Sequence, residues 1–184
     1  MTFSRMLRFV PLATLFAVRL FAADAAPDAR RIFDRQLSNT EREVVGAAEA
    51  MPAAKFDFAP TNGNFKGVRT FALEVRHIAF EMNTIAAALL AEKIPGQEHD
   101  NGPDTLRTKD QIVQYLKDAF AHAHRAIATL NNSNLMELTT DPFDPKGTSP
   151  RVASVSIFYW HTYDHYGQMV EYLRMNGIIP PASR

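Results

Sequence analysis

Apolar residues recur at the spacing of an amphipathic helix in four stretches of the chain. Each stretch ends at residues that stop a helix, such as Pro52 after the first and Gly177 after the last. No stretch alternates apolar and polar residues over the length of a strand, so a sheet is not expected. The pattern predicts helices at about residues 28–51, 68–93, 108–130 and 151–176.

The third predicted helix has the clearest start, because Thr108 is followed three positions later by Gln111 in the spacing of a capping box. Two polar connectors are rich in Pro, Gly and Asn. One, at about residues 57–67, separates the first helix from the second, and the other, at about residues 131–150, separates the third from the fourth. Four amphipathic helices of this length predict an all-α fold, a four-helix bundle with long connecting loops.

Composition narrows the classes of function. The 184 residues suggest one domain, and 20 basic residues balance 20 acidic residues, so no nucleic-acid partner is indicated. The absence of cysteine excludes a disulfide scaffold, a thiolate nucleophile and a cysteine-based metal site.

The first 25 residues resemble a secretory signal peptide, with Arg5 and Arg8 before a short apolar run and small residues around Ala25. Arg19, between the apolar run and the expected cleavage site, departs from that pattern. We expect a signal peptide at residues 1–25 and a single domain at 26–184. A protein with this signal peptide is exported, either to the periplasm or out of the cell. Without a functional signal peptide it is cytoplasmic. The run is too short for a membrane span in the mature chain.

Three histidines are placed to bind a metal ion. His161 and His165 lie four residues apart on the face of the fourth helix that also carries Phe158 and Tyr172. His77 lies on the predicted inward stripe of the second helix, Leu73, His77, Phe80, Thr84 and Ala88. Three neutral imidazoles with one open position are typical of a catalytic zinc site, and iron or nickel would also suit them. Each residue could instead be a hydrogen-bonded core histidine.

Other polar and aromatic residues near these histidines have simpler interpretations. His122 and His124 are expected on a solvated face, and His99 in an exposed loop. Glu74, Glu81 and Asp164 could orient a ligand imidazole, but solvated charges are the preferred interpretation. The cluster of aromatic residues on the fourth helix favours packing over substrate contact or proton donation; it comprises Phe158, Tyr159, Trp160, Tyr163 and Tyr166.

The fourth helix resembles the carboxyl-terminal motif of the DinB-like superfamily. The motif is His161-Thr-Tyr-Asp-His165-Tyr-Gly167-Gln168, continuing into Tyr172 and the Pro180-Pro181 pair. The segment Phe65-Lys-Gly-Val-Arg-Thr-Phe-Ala, with His77 after it, is similar to the second-helix signature of that family, as is Asp57-Phe-Ala-Pro60 before it.

The resemblance implies a DinB/YfiT-like four-helix bundle that holds a divalent metal ion on His77, His161 and His165. It also implies a small-molecule substrate, with a thiol among the candidates, because known members include thiol-dependent transferases and a maleylpyruvate isomerase. Most relatives are regarded as cytoplasmic, so the apparent leader is a departure. Fold and site transfer between relatives better than the reaction does.

Two classes of function follow. The first is a metal-dependent enzyme, a thiol S-transferase or a hydrolase, whose other catalytic residues are unknown. The second is a non-catalytic metal-binding or stress-related interaction protein in which zinc, nickel or iron stabilises the bundle. A homodimer through the outer helix faces stays open, because no sequence feature requires one.

Overall fold

Four long helices carry nearly all of the regular structure in the computed structural model, which describes residues 27–96 and 100–184. The predicted signal peptide therefore lies outside the described residues. The observed fold confirms the predicted all-α four-helix bundle. The helices are α1 (Ala29–Ala50), α2 (Phe71–Leu90), α3 (Lys109–Ala128) and α4 (Arg151–Met175).

The helix ends follow from local chemistry. The side chain of Thr70 accepts a hydrogen bond from the Leu73 amide at 3.3 Å, so α2 starts at Phe71 rather than at residue 68. It ends where Ala91 turns into the left-handed conformation with φ +56°. The segment around Arg69 is thereby left as a loop at the end of the bundle.

The capping box predicted at the start of α3 is confirmed. The Gln111 amide donates to the Thr108 hydroxyl at 3.2 Å, and the Thr108 amide donates to the Gln111 side-chain oxygen at 3.1 Å. These two bonds satisfy backbone N–H groups that have no partner inside the helix.

The second helix is the most buried of the four. It packs against both α3 and α4 and lies diagonally opposite α1, which packs against the same two helices. Four residues of the predicted inward stripe, His77, Phe80, Thr84 and Ala88, are buried, whereas Leu73 is only half-buried. Burial also extends beyond that stripe to nearly every side of α2. The largest fully buried side chains include Phe71, Phe120, Phe158, Leu37, Met82 and Leu173.

A small sheet, which the sequence did not predict, lies in the connector between α3 and α4. Strands β1 (Leu138–Thr140) and β2 (Thr148–Pro150) pair antiparallel. Three residues per strand are too few to give a readable alternation of apolar and polar positions. The Thr139 hydroxyl donates to the Ala88 carbonyl at 2.6 Å, which ties the hairpin to the end of α2.

None of the helices in the described part of the chain combines the length and the hydropathy that crossing a membrane requires.

The capping box at the start of α3 gives a stability prediction. Replacing the cap, Thr108→Ala, should lower the free energy of unfolding by about 1 kcal/mol, because the Gln111 amide loses its acceptor. Thr105→Ala, in the exposed loop just before the cap, should change it by less than about 0.5 kcal/mol. Urea denaturation measures both, and equal effects of the two substitutions would contradict the assignment.

Candidate metal centre

The structure brings the three predicted histidines together. His77 comes from α2, and His161 and His165 come from successive turns of α4. The Nε2 atoms of His77 and His161 are 3.3 Å apart, and each of the three rings offers a nitrogen within 4.8 Å of the others. The ring centroids are separated by 4.5 to 5.1 Å. We call these residues the three-histidine cluster.

The ring of His77 is fixed by Asp100, a residue of the loop between α2 and α3. The His77 Nδ1–H group donates to the backbone carbonyl of Asp100 at 2.7 Å, and the carboxylate Oδ1 of the same residue is 2.9 Å away. Because Nδ1 carries the proton, Nε2 keeps its lone pair. That lone pair is on the side of the ring facing His161.

The ring of His165 is fixed in the same way by Glu74 of α2. The His165 Nδ1–H donates to Glu74 Oε2 at 2.6 Å, and Glu74 is only 1% exposed. The Nε2 of His165 is thereby left with its lone pair. Glu74 was expected to be a solvated charge; that interpretation is wrong, because the side chain packs between α2 and α4 and orients an imidazole.

Burial favours the neutral form of the His77 and His161 imidazoles. It lowers the pKa of His77, against the opposing effect of the hydrogen bond to Asp100. It also lowers the pKa of His161 to about 3, with a further contribution from the neighbouring His165 and His77. Neutral imidazole is the form that binds a metal ion.

The spacing of the nitrogens also suits a metal ion. Two nitrogens bound tetrahedrally to one ion at roughly 2.0–2.1 Å lie about 3.3 Å apart. This separation is the one observed between His77 and His161. The residues present therefore fit a divalent cation with three imidazole ligands.

A glycine allows the Asp100 loop to lie against α2. Gly102 has φ +69°, a left-handed conformation, and a Cβ added there would be 3.1 Å from the Arg76 carbonyl oxygen. The Arg76 side chain of α2 also anchors the loop, because it donates to the Gly102 carbonyl at 2.8 Å and to Asp104 at 2.9 Å. Asp100 carries no signal in the sequence, because a loop residue belongs to no helical pattern.

Glu81 of α2 forms a further contact with Asp100. Glu81 is 3% exposed, and burial raises its pKa to about 7, with further contributions from the Asp100 charge and from a hydrogen bond between the two side chains. The expectation of a solvated charge is wrong here as well, whereas Asp164 is exposed as expected.

Glu81, Asp100 and His77 form a second group with ligand atoms within 4.8 Å. The His77 nitrogen that faces Asp100 is Nδ1. It carries the proton that it donates to Asp100 and so has no lone pair for a metal ion. The three-histidine cluster is therefore the better cation site.

The other histidines do not join the cluster. His122 is half-buried between Asn83 and Glu92, at 2.8 and 2.9 Å. His124 links α3 to α1 through Asp34 at 2.6 Å and Glu41 at 3.2 Å. The expectation that both side chains are solvated is therefore wrong, because each is partly buried and contacts an acidic residue elsewhere in the fold. His99 lies outside the described residues.

The aromatic residues of α4 divide into two groups. Phe158 is fully buried, and Tyr159 stacks on Phe33 and donates to its carbonyl at 2.8 Å, as packing residues should. Trp160 and Tyr163, in contrast, are 59% and 40% exposed, so the packing interpretation is wrong for them. The Trp160 ring lies edge-on to His161 with centroids 5.7 Å apart.

Sequence comparison decides the family. The sequence model of the DinB superfamily matches residues 36–169, which is more than half of the chain. The chain belongs to the DinB superfamily. The matched range contains all three residues of the three-histidine cluster, so the resemblance of the α4 motif to this superfamily is confirmed.

Structural comparison agrees with the DinB-superfamily assignment. The fold is similar to the crystal structure of a DinB-like protein from Bacillus cereus ATCC 10987, with a TM-score of 0.64 and 16% sequence identity. The likeness covers 81% of this chain and 93% of that chain. At this identity it shows the shared fold. The curated proteins contain no match to this sequence.

The buried Glu81 of this DinB-superfamily protein gives a pH prediction for the metal-free form. Its pKa is about 7 in the folded protein and near 4.5 in the unfolded chain, so the folded state holds more protons between these values. This contribution to stability is present below pH 4.5 and is lost as pH rises through 7. The free energy of unfolding of Glu81→Gln, relative to wild type, should therefore increase between pH 4.5 and 7.5.

Urea denaturation in the presence of a chelator measures this difference. The control is Glu137→Gln, which makes the same replacement of a carboxylate by an amide at an exposed position. A Glu81→Gln difference that does not change with pH would show that Glu81 ionises normally in the folded protein.

Proposed function

We propose that this protein binds a divalent metal ion through His77, His161 and His165 and acts as a metal-dependent enzyme of the thiol S-transferase or hydrolase type. The observation that carries the proposal is the orientation of the rings. Asp100 and Glu74 accept hydrogen bonds from the Nδ1–H groups of His77 and His165, so the Nε2 lone pairs of both rings remain free, and that of His77 faces His161.

The set of donors favours an enzyme over a purely structural site. Within residues 27–96 and 100–184, the three-histidine group contains no carboxylate as a fourth ligand. Three protein ligands with an open position are the arrangement of catalytic sites, whereas structural zinc sites have four. Zinc, nickel and iron all accept imidazole ligands. When bound, such an ion supplies Lewis acidity that lowers the pKa of a thiol or a water molecule.

The charges around the cluster favour an anionic ligand. The carboxylates of Glu74 and Asp100 contact two of the imidazoles, and the Arg69 guanidinium pairs with Asp100 at 2.7 Å. With a divalent cation added, these groups sum to one net positive charge. A positively charged site favours an anionic ligand, such as a thiolate or hydroxide, over a neutral one.

A ligand has access from the His161 side. His161 is the least buried of the three histidines, whereas His77 and His165 are 5% and 7% exposed. Beside it stands the exposed indole of Trp160. A small-molecule substrate that approaches along this side would meet the cluster without any displacement of the core.

A second function, stabilisation of the bundle by the metal, is favoured by one observation. The cluster joins α2 to α4, so a bound ion would cross-link two helices that are far apart in sequence. In that case the protein would be a metal-binding or stress-related interaction protein without turnover.

His161→Ala separates the two functions. The substitution should reduce the bound metal, measured by elemental analysis, from about one ion per chain to well below one, because one of three ligands is lost. His124→Ala is the matched control, since His124 bridges α3 and α1 outside the cluster. That variant should retain the metal.

The melting temperature and activity of His161→Ala then discriminate. For an enzyme, folding should largely survive while transfer of a thiol to an aryl chloride, or hydrolysis of an ester, falls at least about a hundredfold. For a structural site, the melting temperature should fall sharply together with the metal content. Unchanged metal content in His161→Ala would contradict both proposals.

Glu74→Gln tests the orienting hydrogen bond. The variant should bind zinc about 10- to 100-fold more weakly, because the neutral amide holds the His165 ring less firmly than the carboxylate does. Glu171→Gln, an exposed residue of α4, should bind zinc as wild type does. Competition with a chromophoric chelator measures both affinities, and equal values would show that Glu74 does not support the site.

A further inference from the structure

A polar pocket of about 380 Å³ is lined by residues that contact the three-histidine cluster or its partner Asp100, and the inference drawn from it rests on the proposed function. Its polar lining comes from the loop before α2, from α2 itself, from the loop between α2 and α3, and from α4. The polar side chains are Arg69, Glu74, Asn101 and Gln168. We call it the Arg69 pocket.

The pocket and the cluster share residues. Glu74 lines the pocket and accepts the hydrogen bond from His165. Arg69 lines the pocket and pairs with Asp100, which holds His77. Gln168 is one turn after His165 on α4, and its Nε2 is 3.4 Å from the His165 ring. A ligand in the pocket is therefore within a few side-chain lengths of the metal ligands.

The guanidinium of Arg69 has donors to spare. Its Nε–H donates to Asn101 Oδ1 at 2.8 Å, and its Nη2 donates to Asp100 Oδ2 at 2.7 Å. These bonds use two of five N–H groups, and no acceptor for Nη1 is found among the residues that the structure describes. The side chain is 28% exposed, so a ligand can reach it.

Two side-chain amides add further donors. Asn101 accepts from Arg69 through its oxygen, so its NH₂ group is available. Gln168 faces a His165 nitrogen whose proton is already donated to Glu74, so that nitrogen offers no lone pair to the Gln168 amide. The Gln168 NH₂ group is thus available to a ligand as well.

The remaining polar groups around the pocket are already engaged. The Glu74 carboxylate is 1% exposed and holds His165. The first amides of α2, from Phe71, Ala72 and Leu73, donate to Phe58, Phe56 and Thr70. Three side chains that donate, and one occupied acceptor, select a ligand group that only accepts hydrogen bonds.

We propose that the Arg69 pocket binds the carboxylate group of a small-molecule ligand whose reactive end reaches the three-histidine cluster. The planar fork of an arginine matches the two oxygens of a carboxylate, and the amides of Asn101 and Gln168 complete the contacts. The carboxylate belongs either to the thiol or to the electrophilic substrate.

Calorimetric titration of the zinc-loaded full chain tests the proposal with a pair of thiols. Wild type should bind 3-mercaptopropionate at least about tenfold more tightly than 2-mercaptoethanol, because only the former carries a carboxylate. In Arg69→Gln that ratio should fall to about one, whatever the change in the binding of 2-mercaptoethanol itself. The ratio is the informative quantity, since general damage to the site would weaken both thiols together.

Two further variants serve as controls. Arg125→Gln removes an exposed arginine of α3 and should leave the ratio unchanged. Gln168→Met leaves the pair of Arg69 and Asp100 intact and should reduce the ratio by a smaller factor than Arg69→Gln does. Gln168→Met also keeps the test decisive if Arg69→Gln fails to fold.

A third titration identifies the source of the carboxylate. Propionate is added to the zinc-loaded protein saturated with 2-mercaptoethanol. Arg69-dependent binding of propionate assigns the carboxylate to a separate substrate, and a preference seen only with 3-mercaptopropionate assigns it to the thiol.

Equal binding of the charged and neutral thiols by wild type, or a ratio that survives in Arg69→Gln, would overturn the proposal. Failure of zinc to bind at all would instead overturn the proposed function. In that case propionate binding to the metal-free protein still tests the pocket, and an absence of Arg69-dependent binding there overturns the carboxylate site too.

Discussion

Two hydrogen bonds from outside the cluster determine what this bundle can do. The Asp100 carbonyl accepts a hydrogen bond from Nδ1–H of His77, and the Glu74 carboxylate accepts one from Nδ1–H of His165. A buried imidazole without such a partner could present either nitrogen to its neighbours. With both partners in place, the remaining lone pairs are left for a common ligand, and a bundle core becomes a candidate metal site.

The site costs the fold some stability. Burying imidazoles and carboxylates is unfavourable unless they are paired, and the lowered pKa of His161 and the raised pKa of Glu81 record that cost. The apolar packing around α2, the most enclosed helix, offsets it. Gly102 helps to form the site as well, because a Cβ at this position would crowd the Arg76 carbonyl and hold the Asp100 loop farther from α2.

Features that depend on helical periodicity could be predicted from the sequence, whereas the contacts made by loop residues could not. The four helices, the capping box at Thr108 and the facing of His161 and His165 follow from spacing within one helix. The partners do not: Asp100 and Arg69 lie in connectors, and the contacts of Asp100 with His77 and with Arg69 depend on how the chain returns across the end of the bundle. From sequence alone a solvated charge is the preferred interpretation of Glu74 over an orienting acceptor, because α2 is buried on almost every side and so shows no clear polar face.

X-ray absorption spectroscopy of the zinc-loaded protein tests the central claim most directly, because it reports the ligands of the ion itself. The account predicts a first shell with about three imidazole nitrogens at roughly 2.0–2.1 Å, together with the outer-shell scattering of three rings. The imidazole signal should weaken in a His77 variant. A shell dominated by carboxylate oxygens, or one with a single imidazole, would contradict it.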